Sequence, residues 1–441
     1  MNDAKQSAHV TGYLPQDTPP VGALITLGLQ HVLTMFPATV LVAILTGFDV
    51  GVTLFTSGLA TIVAILVSGR RIPLYYGGSF AYIAPVVAVA TAKWGGPQVA
   101  QVGIVATGLL NIVIGLIVQK TGKAFLDKVL PPAVTGSIAI VIGIALAKAA
   151  LDMASANWAI AGVTLLVTVL CSVFLRKGFL SMIPVLIGAV AGYLTALAFG
   201  LVSFAAVGKA AWLALPHFQF PAFTSPGAWA AIAAIAPIAI ATLPESTAHL
   251  YQVSLYVDKL ADEQGRPPLV IKALVGINLV CDGLSDMING LLGASSGTNY
   301  GENNSLMAIT RNYSGPVLMM AGLIAICLAF LGKLTAIVGT IPGFVTGGLA
   351  IYLFGVIGVQ GIALMQEERV NLFDPAQLAI VATVLVIGLG GNQFEGGNLV
   401  IGSLHLPAIA TAAVAGILMN LVFLIFRRPK EASEVESRRV G

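Results

Sequence analysis

The sequence predicts an all-α polytopic membrane protein built as a 7+7 inverted repeat of 14 transmembrane segments. Three observations lead there: the composition, the placement of lysine and arginine, and a helix start that recurs half a chain later. Of 441 residues, 57% are hydrophobic and 9% charged, and the mean hydropathy is +0.93. A soluble domain carries about 25% charged residues. Several stretches approach or exceed ~18 apolar residues with few charges, enough to cross the hydrocarbon of a bilayer.

In chain order, the hydrophobic passes centre on residues 23–46, 50–68, 77–92, 99–119, 131–150, 156–175, 181–203, 228–251, 270–290, 296–310, 315–335, 339–359, 375–391 and 405–426. Residues 1–21 are polar and proline-rich and lack the basic region and short apolar run of a cleaved signal, so the first pass is expected to act as the targeting element. The third and tenth passes are weak, being short, glycine-rich and polar in the middle. The aromatic stretch WLALPHFQFP at 212–221 reads as an interfacial loop. With the N-terminus in the cytoplasm, 18 of the 22 Lys and Arg fall on the cytoplasmic side and only Lys93, Lys148, Lys209 and Lys333 on the other. That asymmetry supports the count and places both termini in the cytoplasm. The net charge of +3 reflects this topology and carries no implication of nucleic acid.

LPPAVTG at 130–136 and IPGFVTG at 341–347 share the pattern Pro-x-x-Val-Thr-Gly, each downstream of a Gly-Lys pair, Gly122-Lys123 and Gly332-Lys333. Seven passes separate the copies, an odd number, so the copies would run in opposite directions, an architecture of secondary transporters with the site between the repeats. The plainer reading is two unrelated helix starts, since proline is common in a first turn.

The third pass contains YYGGSFAYIAP (75–85) and the tenth ASSGTNYGENNS (294–305), at corresponding places in the two halves. Glycine, serine and asparagine favour turns and caps over helix. At membrane depth, irregular backbone is tolerated where it lines a cavity or is buried in protein. The expected form is an extended stretch leading into a half-helix whose free N–H groups face a polar ligand. The alternative is a packing loop in which small residues let helices approach.

Four carboxylates fall within passes: Glu245, Asp282, Asp286 and Glu302. A charge at the bilayer centre costs at least about 2.5 kcal/mol on insertion scales, so each calls for a functional account. Glu245 and His249, four apart, share one helix face and can hydrogen-bond and pass a proton. The plainer reading is that the two satisfy each other between helices. A carboxyl that alternates between donor and acceptor suits proton-coupled binding of a polar, neutral ligand. Asp282 and Asp286, also four apart, are expected to cap the neighbouring broken segment or to lie on a proton route, the structural role being favoured. His31 in the first pass is either a satisfied core group or a supporting residue. His9, His217 and His405 lie near ends or in loops and carry little information. Cys171, Cys281 and Cys327 sit in apolar runs, which argues against disulfides and a thiolate metal site. An intramembrane metalloenzyme using Glu245, His249 and Glu302 is poorly supplied, with one histidine in the cluster and no HExxH pair. A passive channel would not need titratable groups at its centre.

These motifs resemble the nucleobase–ascorbate transporter family (nucleobase:cation symporter-2), and within it the bacterial uracil:proton symporters. The resemblance covers nearly the whole chain. It rests on Gln30-His31, RIPLYYGGSFAYIAP at 71–85, the Glu-x-x-x-His of Glu245 and His249, and TNYGENNSLMAITR at 298–311. It implies short antiparallel strands in segments 3 and 10 with the base between them. Segments 1–4 and 8–11 would form a core (22–130 and 228–336), and segments 5–7 and 12–14 a gate (131–205 and 337–427). Residues 206–227 would form an extracytoplasmic loop, and 1–21 and 428–441 cytoplasmic tails. Carried across, Glu245 and Glu302 would hydrogen-bond the ring, the backbone of Phe80 and Gly301 would add contacts, and Tyr300 would pack nearby. His249 would support Glu245 and proton coupling, with Ser79, Gln30, His31, Asn303 and Asp282 in support. The resemblance implies no cofactor beyond the coupling proton, import across the bacterial cytoplasmic membrane by an elevator-like movement of core against gate, and a homodimer through the gates. The chain departs from the family at Ser305, where glycine is usual, and at Pro244-Glu245-Ser246, where relatives tend to read Ala-Glu-His or Ala-Glu-Asn. Glutamate at 302 together with His249 favours uracil over the purines xanthine and urate.

Overall fold

A computed structural model describes residues 12–122, 128–175, 178–394, 397–401 and 404–426. Lys123, residues 1–11 of the expected N-terminal tail (with His9) and the expected C-terminal tail 428–441 lie outside the described residues. Helix occupies every expected hydrophobic stretch. In the first half run α1 (Val21–Thr46), α2 (Val50–Val67), the strand β1 (Tyr76–Gly78), α3 (Ile83–Thr91) and α4 (Pro97–Thr121). There follow α5 (Pro132–Ala145), α6 (Ala147–Ser155), α7 (Trp158–Phe174) and α8 (Pro184–Ala198). In the second half run α9 (Ala228–Ile235), α10 (Ile238–Glu263), α11 (Val275–Leu292), the strand β2 (Gly297–Asn299), α12 (Gly301–Thr310) and α13 (Gly315–Ala329). The chain continues with α14 (Gly332–Val338), α15 (Gly343–Glu367), α16 (Pro375–Leu385), β3 (Asn398–Ile401), β4 (Leu404–Pro407) and α17 (Ala408–Phe426). Among the described residues, seven helical stretches are long and apolar enough to cross a membrane, and shorter apolar helices fill most of the remaining passes. Large apolar side chains face outward, among them Phe199, Trp229, Val386 and Phe426, as a lipid-facing exterior requires.

Local chemistry sets several helix ends. Asp49, Asn157, Ser314 and Asp374 accept from the first backbone N–H groups of α2, α7, α13 and α16. Prolines Pro131 and Pro342, in the two related heptapeptides, cap α5 and α15 with nearly the same backbone angles.

The helices pack in recurrent pairs. α4 lies along α11, α2 along α13, and α5 along α15. Two of these crossings are glycine on glycine. A Cβ at Gly58 of α2 would stand 2.3 Å from the Gly322 carbonyl of α13, and one at Gly283 of α11 would stand 2.5 Å from that of Gly108 in α4. Without a hydrophobic drive between helices in lipid, such close backbone approach supplies dispersion contacts.

Two features were not expected from the sequence. The strands β3 and β4 pair antiparallel, Asn398 with Pro407 through Ile401 with Leu404, just ahead of the last helix. The described part of the N-terminal tail is also anchored. Tyr13 bridges to Asn312, Leu14 is fully buried, and both Asp17 carboxylate oxygens accept from the Arg266 guanidinium at 2.9 Å.

Gly283→Ala should lower the melting temperature of the purified protein, with a cost of about 1–3 kcal/mol for the overpacked crossing. Gly162→Ala in α7, where a Cβ meets nothing within 4 Å, should not. Equal melting temperatures for the two variants would contradict the crossing's role.

Candidate functional site

Two three-residue strands from opposite halves of the chain form the centre of the molecule. β1 and β2 pair antiparallel, with Tyr76 opposite Asn299, Gly77 opposite Thr298 and Gly78 opposite Gly297. The ladder is extended at both ends, Ser79 N–H donating to the Ser296 carbonyl and Tyr300 N–H to that of Tyr75, each at 2.9 Å. Several outer backbone groups are taken up by side chains of flanking helices. On the β1 side, Ser57 of α2 donates to the Tyr76 carbonyl at 2.6 Å, and Thr61 accepts from Tyr76 N–H at 3.0 Å. On the β2 side, Asp286 of α11 accepts from Gly297 N–H at 2.7 Å, Ser296 at 2.6 Å and Asn111 at 2.9 Å.

Each strand turns directly into helix. Ser79 accepts from Ala81 N–H at 3.3 Å and starts the 3-10 turn Phe80–Tyr82 that leads into α3. Tyr300 precedes α12, and Glu302 lies in that helix's first turn, where a carboxylate favours the helix dipole. Phe80 is half-buried and meets Phe354 of α15 edge to face at 6.5 Å.

Glu245 and Glu302 are both exposed, and neither carboxylate has a hydrogen-bond partner among the described residues. Glu245 lies within electrostatic reach of both His249 and Glu302. Two acids, one on α10 and one at the start of α12, thus lie within electrostatic reach of each other, and no hydrogen-bond donor among the described residues holds either one. Pro244 stands inside α10, where it cannot donate to the Ile240 carbonyl.

The expected hydrogen bond between Glu245 and His249 is not among those of the described residues. The imidazole is turned to β2 instead. Its Nδ1 lies 2.7 Å from Asn299 Oδ1 and 3.0 Å from the Asn299 carbonyl. Its Nε2 lies against Gly301, where a Cβ would stand 2.8 Å away, so a side chain at 301 would push the imidazole aside. Tyr300 is a buried brace: its ring covers Gly77, where a Cβ would meet it at 2.5 Å, and its hydroxyl reaches Thr39 and the Gly78 carbonyl, each at 3.0 Å.

Gln30-His31 and Asn303 form a tie between α1 and α12. Asn303 Nδ2 donates to His31 Nδ1 at 3.0 Å and to the His31 carbonyl at 3.1 Å, while the Gln30 carbonyl accepts from Thr34 at 2.9 Å. Asp282 accepts from Ser246 and, at 3.4 Å, from Asn299. Sequence reasoning did not single out Ser57, Thr61, Asn278, Asn299 or Thr39. Ser57 and Thr61 carry the same four-residue spacing as Asp282 and Asp286, which is the signal that could have found them.

This arrangement is that of a multi-helix membrane protein with two interrupted segments paired at its centre and two open carboxylates beside them. The chain matches the Permease family over residues 22–395 and belongs to it, as a member of the nucleobase–ascorbate (nucleobase:cation symporter-2) transporters. It is 41% identical to the uracil permease of Bacillus caldolyticus, over 92% of this chain and 93% of that one. It is 36% identical to the uracil permease of Escherichia coli (strain K12), over 94% and 95%. Its fold is similar to that of the transmembrane domain of the cyanobacterial bicarbonate transporter BicA, with a TM-score of 0.59 at 15% identity over 91% of this chain and 97% of that one. SLC26A9 gives a TM-score of 0.65 at 10% identity over 92% and 65%. The chain is a multi-pass transporter and not an enzyme.

Asp286→Ala would leave three donors around β2 without an acceptor, each costing about 1–3 kcal/mol. Faster amide hydrogen exchange across 296–300 is expected, with a smaller effect for Asp286→Asn. Unchanged exchange in the alanine variant would remove Asp286 from the support of the strand.

Proposed function

We propose that this chain is a proton-coupled importer of uracil. The observation that carries this is the meeting of two partnerless carboxylates, Glu245 and Glu302, beside the starts of α3 and α12. A flat, neutral ring with N–H and C=O groups on its edge needs donors and acceptors in one plane and no fixed cation. Glu245 and Glu302 supply acceptors when ionised and a donor when protonated, and the backbone of Phe80 and Gly301 supplies the rest. Relatives named uracil permeases, at 36–41% identity over nearly their full length, favour uracil within this chemistry. A carboxyl that protonates on one side of the membrane and releases the proton on the other links ring binding to the proton gradient.

The architecture we propose is fourteen spans in two inverted sets of seven. In support, α2 and α11 are both 18 residues long, and Ser57, Gly58 and Thr61 fall at the same helix positions as Asp282, Gly283 and Asp286. The α2–α13 crossing at Gly58 and Gly322 is echoed by α11–α4 at Gly283 and Gly108. Residues 22–130 and 228–336 form the core that carries the site. Residues 131–205 and 337–427 form the gate, against which the core slides as an elevator. The protein sits in the bacterial cytoplasmic membrane with both termini inside, and pairs with a second copy through the gates.

In proteoliposomes, an imposed gradient, acidic on the side from which uracil enters, should drive uptake above the level reached without one. Equal uptake in both conditions would remove proton coupling. Glu302→Gln should weaken uracil binding by about tenfold or more, the loss of one charge-assisted hydrogen bond. Glu245→Gln should abolish transport. Wild-type uptake by either variant would contradict the site. Transport of xanthine or urate with no transport of uracil would move the substrate to the purines.

A further inference from the structure

Behind the two acids lies a buried polar network whose hydrogens can be placed by counting. Ser246, one residue past Glu245, is its node. The Ser246 hydroxyl accepts from Asn278 Nδ2 and from Asn299 Nδ2, each at 2.7 Å, which uses both of its lone pairs. Its single hydrogen therefore goes to Asp282 Oδ2. Asn278 Oδ1 in turn accepts from the Tyr76 hydroxyl at 3.4 Å, which carries the network across to β1. Ser246, Asn278, Asp282 and Asn299 are all buried, so no water competes for these bonds.

With Asp282 ionised, this count and the fixed Asn299 backbone carbonyl agree on one orientation of the Asn299 amide. Its Nδ2 faces two acceptors, Ser246 Oγ and Asp282 Oδ1, so its Oδ1 faces His249 Nδ1 at 2.7 Å. The Asn299 backbone carbonyl, which cannot be reversed, faces the same Nδ1 at 3.0 Å. Two acceptors converging on one ring nitrogen require that nitrogen to carry hydrogen. In the opposite arrangement the carbonyl would oppose a lone pair, and Asp282 would lose the hydrogen it takes from Ser246.

We propose that Ser246 and Asn299 lock the neutral imidazole of His249 in the Nδ1–H tautomer. The Nε2 lone pair is then the only proton-accepting atom of the ring, and it lies against Gly301, the residue before Glu302 on α12, with Glu245 one turn earlier on its own helix. Ser246 is a positioning residue: it touches neither acid's carboxylate, and it acts through Asn299 on the ring. The titratable groups around this ring are Glu245, Glu302, Asp282 and, through Asn278, Tyr76; Asp286 and Tyr82 lie farther along the same packed helices. The part His249 plays in coupling rests on the function proposed above, whereas its tautomer does not.

The test is nitrogen-15 NMR of histidine-labelled protein in nanodiscs without substrate, at a pH where imidazole is neutral. The His249 signal is assigned by its loss in His249→Gln. Wild type should show a protonated Nδ1 and a bare Nε2. Ser246→Ala, which frees the Asn299 amide to turn while the Asn299 carbonyl stays in place, should raise the fraction of the Nε2–H form without making it the sole form, and Ser246→Thr, which keeps the hydroxyl, should restore the wild-type signal. In uptake assays, Ser246→Ala should shift the pH profile and lower uptake about tenfold, with Ser246→Thr close to wild type. An Nε2–H ring in wild type, or a signal unchanged in Ser246→Ala, would overturn the proposal. The expected tautomer in a protein that fails to bind uracil would uphold it and defeat only the functional reading.

Discussion

A three-rung antiparallel ladder between β1 and β2 is the contact on which the rest depends. Extended backbone inside a bilayer is costly unless every N–H and C=O finds a partner within the protein. Here each strand pairs its inner edge with the other, and helix side chains take outer groups of both, Ser57 and Thr61 at Tyr76 and Asp286 at Gly297. Because the strands end after three residues, two helices begin in the middle of the molecule. Their unpaired N–H groups are presented there, and not at the membrane surface where water would meet them.

This construction explains why so many polar residues can be buried in a chain of such composition. Asp282, Asp286, Asn278, Asn299 and Ser246 are all nearly inaccessible, and each has partners. Glu245 and Glu302 stand apart from them: both are exposed, and no donor of the described chain holds either one. Acids that are fully satisfied support the backbone, whereas acids left open can bind something. That division separates the two partnered aspartates from the two glutamates of the proposed site. It also separates Tyr300 from Glu302, two residues away, since the tyrosine is occupied in bracing Gly77 and Gly78.

The helical passes were legible because hydrophobicity and the lysine–arginine bias are summed over many residues. The interrupted segments were legible for the opposite reason: YYGGSF and SSGTNYGENN combine poor helix formers with membrane depth. Glu245, Glu302, Asp282 and Asp286 could be picked out because charge is rare here. Asp286 accepts from the backbone at the start of β2, whereas Asp282 accepts from Ser246 and Asn299. The direction of His249 was not legible. Helical spacing puts it on the face of Glu245, but the ring's rotation is decided by Asn299, fifty residues away. Ser246 and Asn278 are ordinary polar residues whose importance comes from tertiary contact. The β3–β4 pairing was missed because the hydrophobicity of the helix after it dominates that stretch of sequence.

The most direct measurement is a structure of the protein with uracil bound. The account predicts the ring between the starts of α3 and α12, with one edge on the Glu245 carboxyl and another on that of Glu302. A base bound with either acid more than a hydrogen bond's reach away, or seated against the gate helices alone, would contradict it.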